Sequence, residues 1–240
     1  MTSSPGGSAE QQPVRITQDM LEVEPAHETR IDFEQGMTYA PRATLMVIVV
    51  LGVVFAWQID TGALASRETI IAAGALVRDR VLQGEWWRLF SATVLHGSGE
   101  HIISNAVSLY ILGMASEHAY GTRAMMLIYI VSGLTGSLLS MAMGPGPSVG
   151  ASGAIFGLMG AVILLFKRHH TELLVRDKRI GVVIAVWALY TIVTGLMVPM
   201  IDNAGHVGGL IGGIITATLF RPRILDRRVV HIVRERYRIR

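Results

Sequence analysis

Long apolar runs alternate with polar stretches along the chain and predict helices at about residues 43–58, 101–117, 124–143, 151–166, 180–197 and 203–220. Near-continuous apolar runs of this kind read as membrane spans. The fourth run differs from the others. About 15 residues at ~1.5 Å each give roughly 22 Å, against a hydrocarbon core of roughly 30 Å. Before it lies Met143-Gly144-Pro145-Gly146-Pro147-Ser148-Val149, where glycine and proline exclude regular helix. The fourth helix is therefore expected to begin inside the membrane plane, with its loop dipping inward. Irregular backbone at that depth is tolerated only where protein buries it or water reaches it. Ser152, in Gly150-Ala151-Ser152-Gly153, sits at this loop-to-helix junction. It reads either as a helix N-cap, for which serine is among the preferred residues, or as a nucleophile.

The flanks are polar. Residues 1–41 form a Ser/Gly/Gln/Glu-containing tail, expected to be disordered and without the apolar core of a signal peptide. Residues 42–220 make one six-helix membrane domain, and residues 221–240 hold eight arginines and form a basic tail rather than a seventh span. The long connection at 59–99 contains Gly84-Glu85-Trp86-Trp87-Arg88, whose paired tryptophans suit anchoring at the membrane–water interface. Lys167, Arg168, Arg176, Lys178 and Arg179 lie between runs four and five, and Arg221, Arg223, Arg227 and Arg228 follow run six. The excess of basic residues on cytoplasmic loops places both regions, and hence both termini, inside. Arg67, Arg78, Arg80 and Arg88 in the first connection conflict with this, but long loops obey the rule less well.

Composition agrees with an all-α polytopic membrane protein. Hydrophobic residues make up 51% and charged residues 16% of the 240, against about 25% charged in soluble domains, and the mean hydropathy is +0.46. The absence of cysteine excludes disulfides and thiolate metal sites. The pI near 9.5 arises from charges beside apolar runs, so the lipid bilayer, and not nucleic acid, is the expected partner.

In that topology runs two, four and six enter from the same, outer side. Their first turns carry His101 and Asn105, Ser152, and His206. Polar groups within a membrane are costly and face a cavity or one another. His206 can serve as base to the Ser152 hydroxyl and then as acid to a leaving amine. His101 and Asn105, spaced i, i+4, project from one helix face and can donate to an oxyanion. The Ser152 backbone N–H, unpaired at its helix start, and the helix dipole add to this. His206, Gly209 and Gly213 share a face, and Gly153, Gly157 and Gly160 lie on run four. Such small-residue faces allow close helix approach and would bring Ser152 to His206. Phe156, one turn below Ser152, could stack on the imidazole, with plain packing the expected role. Asp202 or Asn203 is expected to cap run six.

These residues resemble the rhomboid family. Gly150-Ala151-Ser152-Gly153 looks like its G-x-S-G motif; His96, His101 and Asn105 match its H-x4-H-x3-N pattern; His206-Val207-Gly208-Gly209 is similar to its histidine-glycine motif; and Trp87-Arg88 resembles the Trp-Arg pair of its first loop. The one departure is Gly205, where the family usually has alanine. The resemblance implies a six-helix rhomboid-like fold and an intramembrane serine endopeptidase. It implies a Ser152–His206 dyad without a third acid, oxyanion donors at His101 and Asn105, and a structural role for His96. Single-pass membrane proteins, cut near the outer face, are the expected substrates, and a bacterial plasma membrane the expected location.

No metal or other cofactor is expected. His96, Glu100 and His101 follow H-x3-E-H, which fits neither H-E-x-x-H nor H-x-x-E-H, and His96 and His101 would sit about 140° apart on a helix. His169-His170 lie in a basic loop, where solvent exposure is expected. A transporter is disfavoured because the halves show no internal repeat and the polar residues gather at one end, not at the midplane. A noncatalytic binder of membrane segments would have no need of both Ser152 and His206.

Overall fold

The computed structural model describes residues 30–144, 146–175 and 201–226. In chain order the elements are β1 (Ile31–Asp32), α1 (Arg42–Asp60), α2 (Arg67–Ala73), α3 (Arg78–Leu82), α4 (Arg88–Ser91), α5 (Gly99–Tyr120), α6 (Thr122–Met143), α7 (Ser152–His169), β2 (Leu173–Leu174) and α8 (Asn203–Thr218), then a 3-10 turn at Arg223–Asp226. Five of the six sequence-predicted helices appear as α1, α5, α6, α7 and α8. The fifth apolar run, 180–197, falls outside the described residues.

Among the described residues four stretches are long and apolar enough to cross a membrane: Arg42–Asp60, Thr122–Met143, Ser152–His169 and Asn203–Asp226. α5 has 22 residues but falls short in apolarity. Three of its polar side chains, Asn105, Ser108 and Ser116, turn inward and are buried. α7 is longer than its apolar run, continuing through Lys167 and Arg168 to His169. The shared core holds Leu51, Leu109, Met125, Ile128, Leu158 and Leu165. Val49, Val53, Ile103, Ile211 and Ile215 point outward, as membrane-facing side chains must.

Backbone contact between glycines sets how these helices pack. A Cβ on Gly209 would collide with the Gly153 carbonyl, and one on Gly213 with the Gly157 carbonyl. α8 therefore lies against α7 with no side chain between them, as the i, i+3, i+7 spacing from His206 predicts. α6 closes the group: a Cβ on Gly136 would come within 2.8 Å of the Gly205 carbonyl.

The first connection is folded, which explains its basic residues. Ser66 and Thr69 form a capping box at α2, and Gly74 ends that helix at φ 118°. Arg88 is buried. Its Nε donates to Glu85 at 2.6 Å, and its Nη1 donates to the carbonyls of Ile71 at 2.7 Å and Ala75 at 2.8 Å. Arg78 donates to the Met141 and Ala142 carbonyls at the end of α6. These arginines are fastened within the fold, so their number says little about topology. Trp86 and Trp87 remain about half exposed, in keeping with an interfacial position.

Residues 30–41 differ from the disordered tail that their polarity suggests. Ile31 and Asp32 pair in parallel with Leu173 and Leu174. Phe33 is buried, with its ring 5.5 Å from that of His118 and 5.0 Å from that of Phe166. One buried aromatic and two paired residues dock this segment, too short a signal to stand out in a polar stretch.

α1 starts after Pro41, which offers no side-chain cap. Glu117, from the far end of α5, fills that role: its carboxylate accepts from the N–H groups of Ala43 at 3.1 Å and Thr44 at 3.0 Å, and from the Thr44 hydroxyl at 3.0 Å. A negative charge there also complements the helix dipole. Glu117→Ala should lower stability by about 1–2 kcal/mol, with a smaller loss for Glu117→Gln, read from thermal unfolding in detergent; an unchanged midpoint in Glu117→Ala would refute the capping role.

Candidate active site

The loop before Ser152 is pinned by backbone bonds. Ser148 pairs with Leu76 in an antiparallel bridge, its N–H and C=O bonded at 3.0 and 2.9 Å, and the Gly150 N–H donates to the Ala92 carbonyl at 2.8 Å. Gly150 takes φ 134°, a conformation in which a side chain is strained. The residue capping α7 is Ala151, with no side-chain cap bond, and Ser152 is the first helical residue. The N-cap reading of Ser152 is thus set aside. Its hydroxyl lies 2.8 Å from His206 Nε2.

His206 reaches this position because α8 begins just before it. Asp202 is the N-cap, accepting from the Gly205 N–H at 2.8 Å. Its other oxygen accepts from the Ser148 hydroxyl at 2.6 Å. The cap of the His206 helix is therefore also a clasp on the Ser152 loop, and both carboxylate oxygens are engaged away from the imidazole. The ring itself lies flat on Phe156, with centroids 4.2 Å apart and planes at 6°. Phe156 thus stacks as well as packs. The glycine contacts leave the two helices close enough for a ring one turn along α7 to lie over a ring on α8.

His101 and Asn105 come over the loop from α5. A Cβ on Gly150 would lie 2.7 Å from His101 Cε1 and 3.6 Å from Asn105 Nδ2, so only glycine admits them to the backbone beside Ser152. Asn105 is buried, and its Nδ2 has no hydrogen-bond partner among the described residues. The structure thus brings all four sequence-predicted residues, Ser152, His206, His101 and Asn105, to one place. A cavity of about 30 Å³ lies between Ser152, His206, Gly150 and Asp202, space for about one water.

Sequence reasoning missed two supporting residues. Ser148 was legible only as part of a non-helical loop. Gln58, at the end of the first apolar run, is fully buried and pairs reciprocally with the backbone of His96, donating to its carbonyl and accepting from its N–H, both at 3.0 Å. A lone amide closing an apolar run was the available signal.

A family model described as Rhomboid domain matches residues 83–223, which contain all four residues. The chain is 38% identical to Rhomboid protease GluP of Bacillus subtilis over 177 residues, 74% of this chain and 34% of that protein. It is 33% identical to Rhomboid protease AarA of Providencia stuartii over 201 residues, 71% of this chain and 69% of that protein. It is 35% identical to RHOMBOID-like protein 5 of Arabidopsis thaliana over 160 residues, 65% of this chain and 51% of that protein. The chain thus spans about a third of the length of GluP and about half of the plant relative.

His96, in the connection before α5, braces the His101 ring edge-on, with centroids 5.1 Å apart and planes at 70°. Burial, reinforced by the neighbouring His101, pushes its pKa down to about 4. A free histidine titrates near 6.5. The unfolded chain therefore takes up a proton between about pH 6.5 and 4 that the folded chain does not, and stability falls as pH drops through that window. The fall in thermal midpoint from pH 7 to pH 5 should be shallower in His96→Gln than in the wild type. Equal slopes would show that His96 is not buried in its neutral form.

Proposed function

The chain belongs to the rhomboid family, and from that premise we propose that it is an intramembrane serine endopeptidase using a Ser152–His206 dyad. The observation that carries this reading is the 2.8 Å contact between Ser152 Oγ and His206 Nε2 beside Asn105 Nδ2, which has no partner among the described residues. With Nε2 unprotonated, the Ser152 hydroxyl donates to it. As Oγ attacks the scissile carbonyl carbon, its proton passes to Nε2, and the carbonyl oxygen becomes an oxyanion. Asn105 Nδ2, the His101 ring and the Ser152 N–H at the start of α7 supply donors to that charge. His206 then protonates the leaving amine, and an acyl-enzyme remains on Ser152. A water activated by His206 adds to the acyl carbon, and collapse returns the proton to Oγ and frees the acid.

The substrates we assign are single-pass membrane proteins, cut near the outer face. Their scissile segment must unwind locally, because a helical peptide bond is hydrogen-bonded and hidden, so residues of low helix propensity near it favour cleavage. Six spans, with 1–41 and 221–240 as cytoplasmic tails, complete the layout. Supporting it are the basic residues after α7 and after α8 and the shared end of the bundle from which α5, α7 and α8 all start. A bacterial plasma membrane is the setting this reading favours, and the Bacillus and Providencia relatives support it.

Cleavage of a generic transmembrane substrate in liposomes tests the dyad. Wild type should cut, and Ser152→Ala and His206→Ala, each shown to be folded, should not; cutting that survives in Ser152→Ala would overturn the reading. Asn105→Ala should lower kcat by about 10²-fold or less, since other donors remain, and an unchanged kcat would remove Asn105 from the oxyanion role.

A further inference from the structure

At the end of the bundle remote from Ser152, the start of α1, the end of α5, the start of α6 and the turn after α8 surround a cavity of about 600 Å³. That is within the range of small-ligand pockets, roughly 300–1,000 Å³. Its wall carries Arg42, Arg223, Glu117 and Asp226. The two carboxylates are already engaged. Glu117 caps α1 and accepts from the Thr122 hydroxyl at 2.9 Å, and Asp226 faces Arg221 at 3.5 Å. The guanidinium groups of Arg42 and Arg223 have no ion-pair or hydrogen-bond partner among the described residues. Gly121 leaves room for the stem of Arg223, whose Cδ would lie 3.4 Å from a Cβ at that position. Among the described residues, the cavity therefore presents two unpaired cations beside two anions that already have partners.

Its depth identifies the source of a counter-charge. α1 begins at Arg42, α5 ends at Tyr120 and α6 begins at Thr122, so the cavity lies where apolar helices stop, at the level of phospholipid headgroups. Three and four residues beyond Arg42, on its face of α1, are Leu45 and Met46, followed one turn later by Val49; all are exposed. They offer an apolar track leading away from the charged rim. We infer that this cavity holds the phosphate of an anionic phospholipid, gripped by Arg42 and Arg223, with the acyl chains lying along the outer face of α1. Basic pockets between membrane helices are suited to such headgroups, and a free phosphate would use the arginines but not the apolar track. The site is independent of the proteolytic reading, since neither arginine is near Ser152.

The test uses the full chain in detergent, with phosphatidylglycerol, phosphatidylcholine of the same acyl chains, and inorganic phosphate as probes. Native mass spectrometry reads retained lipid, and thermal unfolding reads stabilisation. Wild type should retain phosphatidylglycerol over phosphatidylcholine and unfold later with it. Affinity should fall about fivefold for each of Arg42→Gln and Arg223→Gln, from about 1 kcal/mol per basic residue near a lipid headgroup, while circular dichroism stays unchanged. Equal retention of the two lipids, or undiminished phosphatidylglycerol binding in the double variant, would overturn the inference. Inorganic phosphate stabilising wild type as well as phosphatidylglycerol does would overturn the lipid assignment. Should the double variant fail to fold, the salt dependence of wild type decides: retention must weaken as salt rises, and salt-insensitive retention refutes a grip by the two arginines.

Discussion

The contact of glycine backbones between α7 and α8 is the constraint on which the site depends. Gly209 meets the Gly153 carbonyl and Gly213 meets the Gly157 carbonyl. Lipid tails are as apolar as leucine, so helices in a bilayer gain little by hiding apolar side chains from lipid; close van der Waals contact between small residues must hold them. The upper contact adjoins both Ser152 and His206, and it therefore fixes how far apart they sit. A side chain at Gly209 would push the helices apart and open the 2.8 Å contact, however well the two residues themselves were preserved. α6 joins through the same kind of surface, with Gly136 against the Gly205 carbonyl.

The second constraint is the cost of unsatisfied polar groups in an apolar setting. Several are met by partners distant in sequence. Glu117 caps α1, Gln58 holds the backbone of His96, Arg88 gathers the carbonyls of the first connection, and Asp202 joins the loop before Ser152 to the start of α8. Asn105 Nδ2, like the His96 ring nitrogens and the Tyr129 and Ser132 hydroxyls, is buried without a partner among the described residues, and it lies beside the backbone leading to Ser152. A donor kept free at that cost is what a site for transient negative charge requires.

This division also explains what could be read from the sequence. Apolar runs report burial, and small residues at helical spacing report a close face, so five helices and the α7–α8 approach were legible. The four chemical residues were legible because they stand at helix starts within apolar surroundings. Partnerships across long separations leave no local trace. The arginines of the first connection looked like a conflict with topology, whereas Arg88 and Arg78 are bound to carbonyls within the fold. The buried Phe33 likewise depends on helices far along the chain, and the Phe156 stack, one of two readings open to the sequence, is decided by the approach of α8. Asp202 was legible as a cap but not as a clasp, since its second partner, Ser148, lies 54 residues away.

On the proposed mechanism, the His206 ring needs a fixed orientation, which a carboxylate supplies in a Ser-His-Asp triad. Here the nearest candidate, Asp202, has both oxygens committed to Gly205 and Ser148. Packing can do the orienting instead. The ring is flat against Phe156 at 4.2 Å and largely buried among helices that meet through glycine, so few rotamers remain open to it. Bringing an ionised carboxylate into this apolar setting would cost several kcal/mol of desolvation, to be recovered only through near-ideal hydrogen bonding. An aromatic face fixes the ring without that cost, which gives a physical reason for two catalytic residues to suffice between membrane helices.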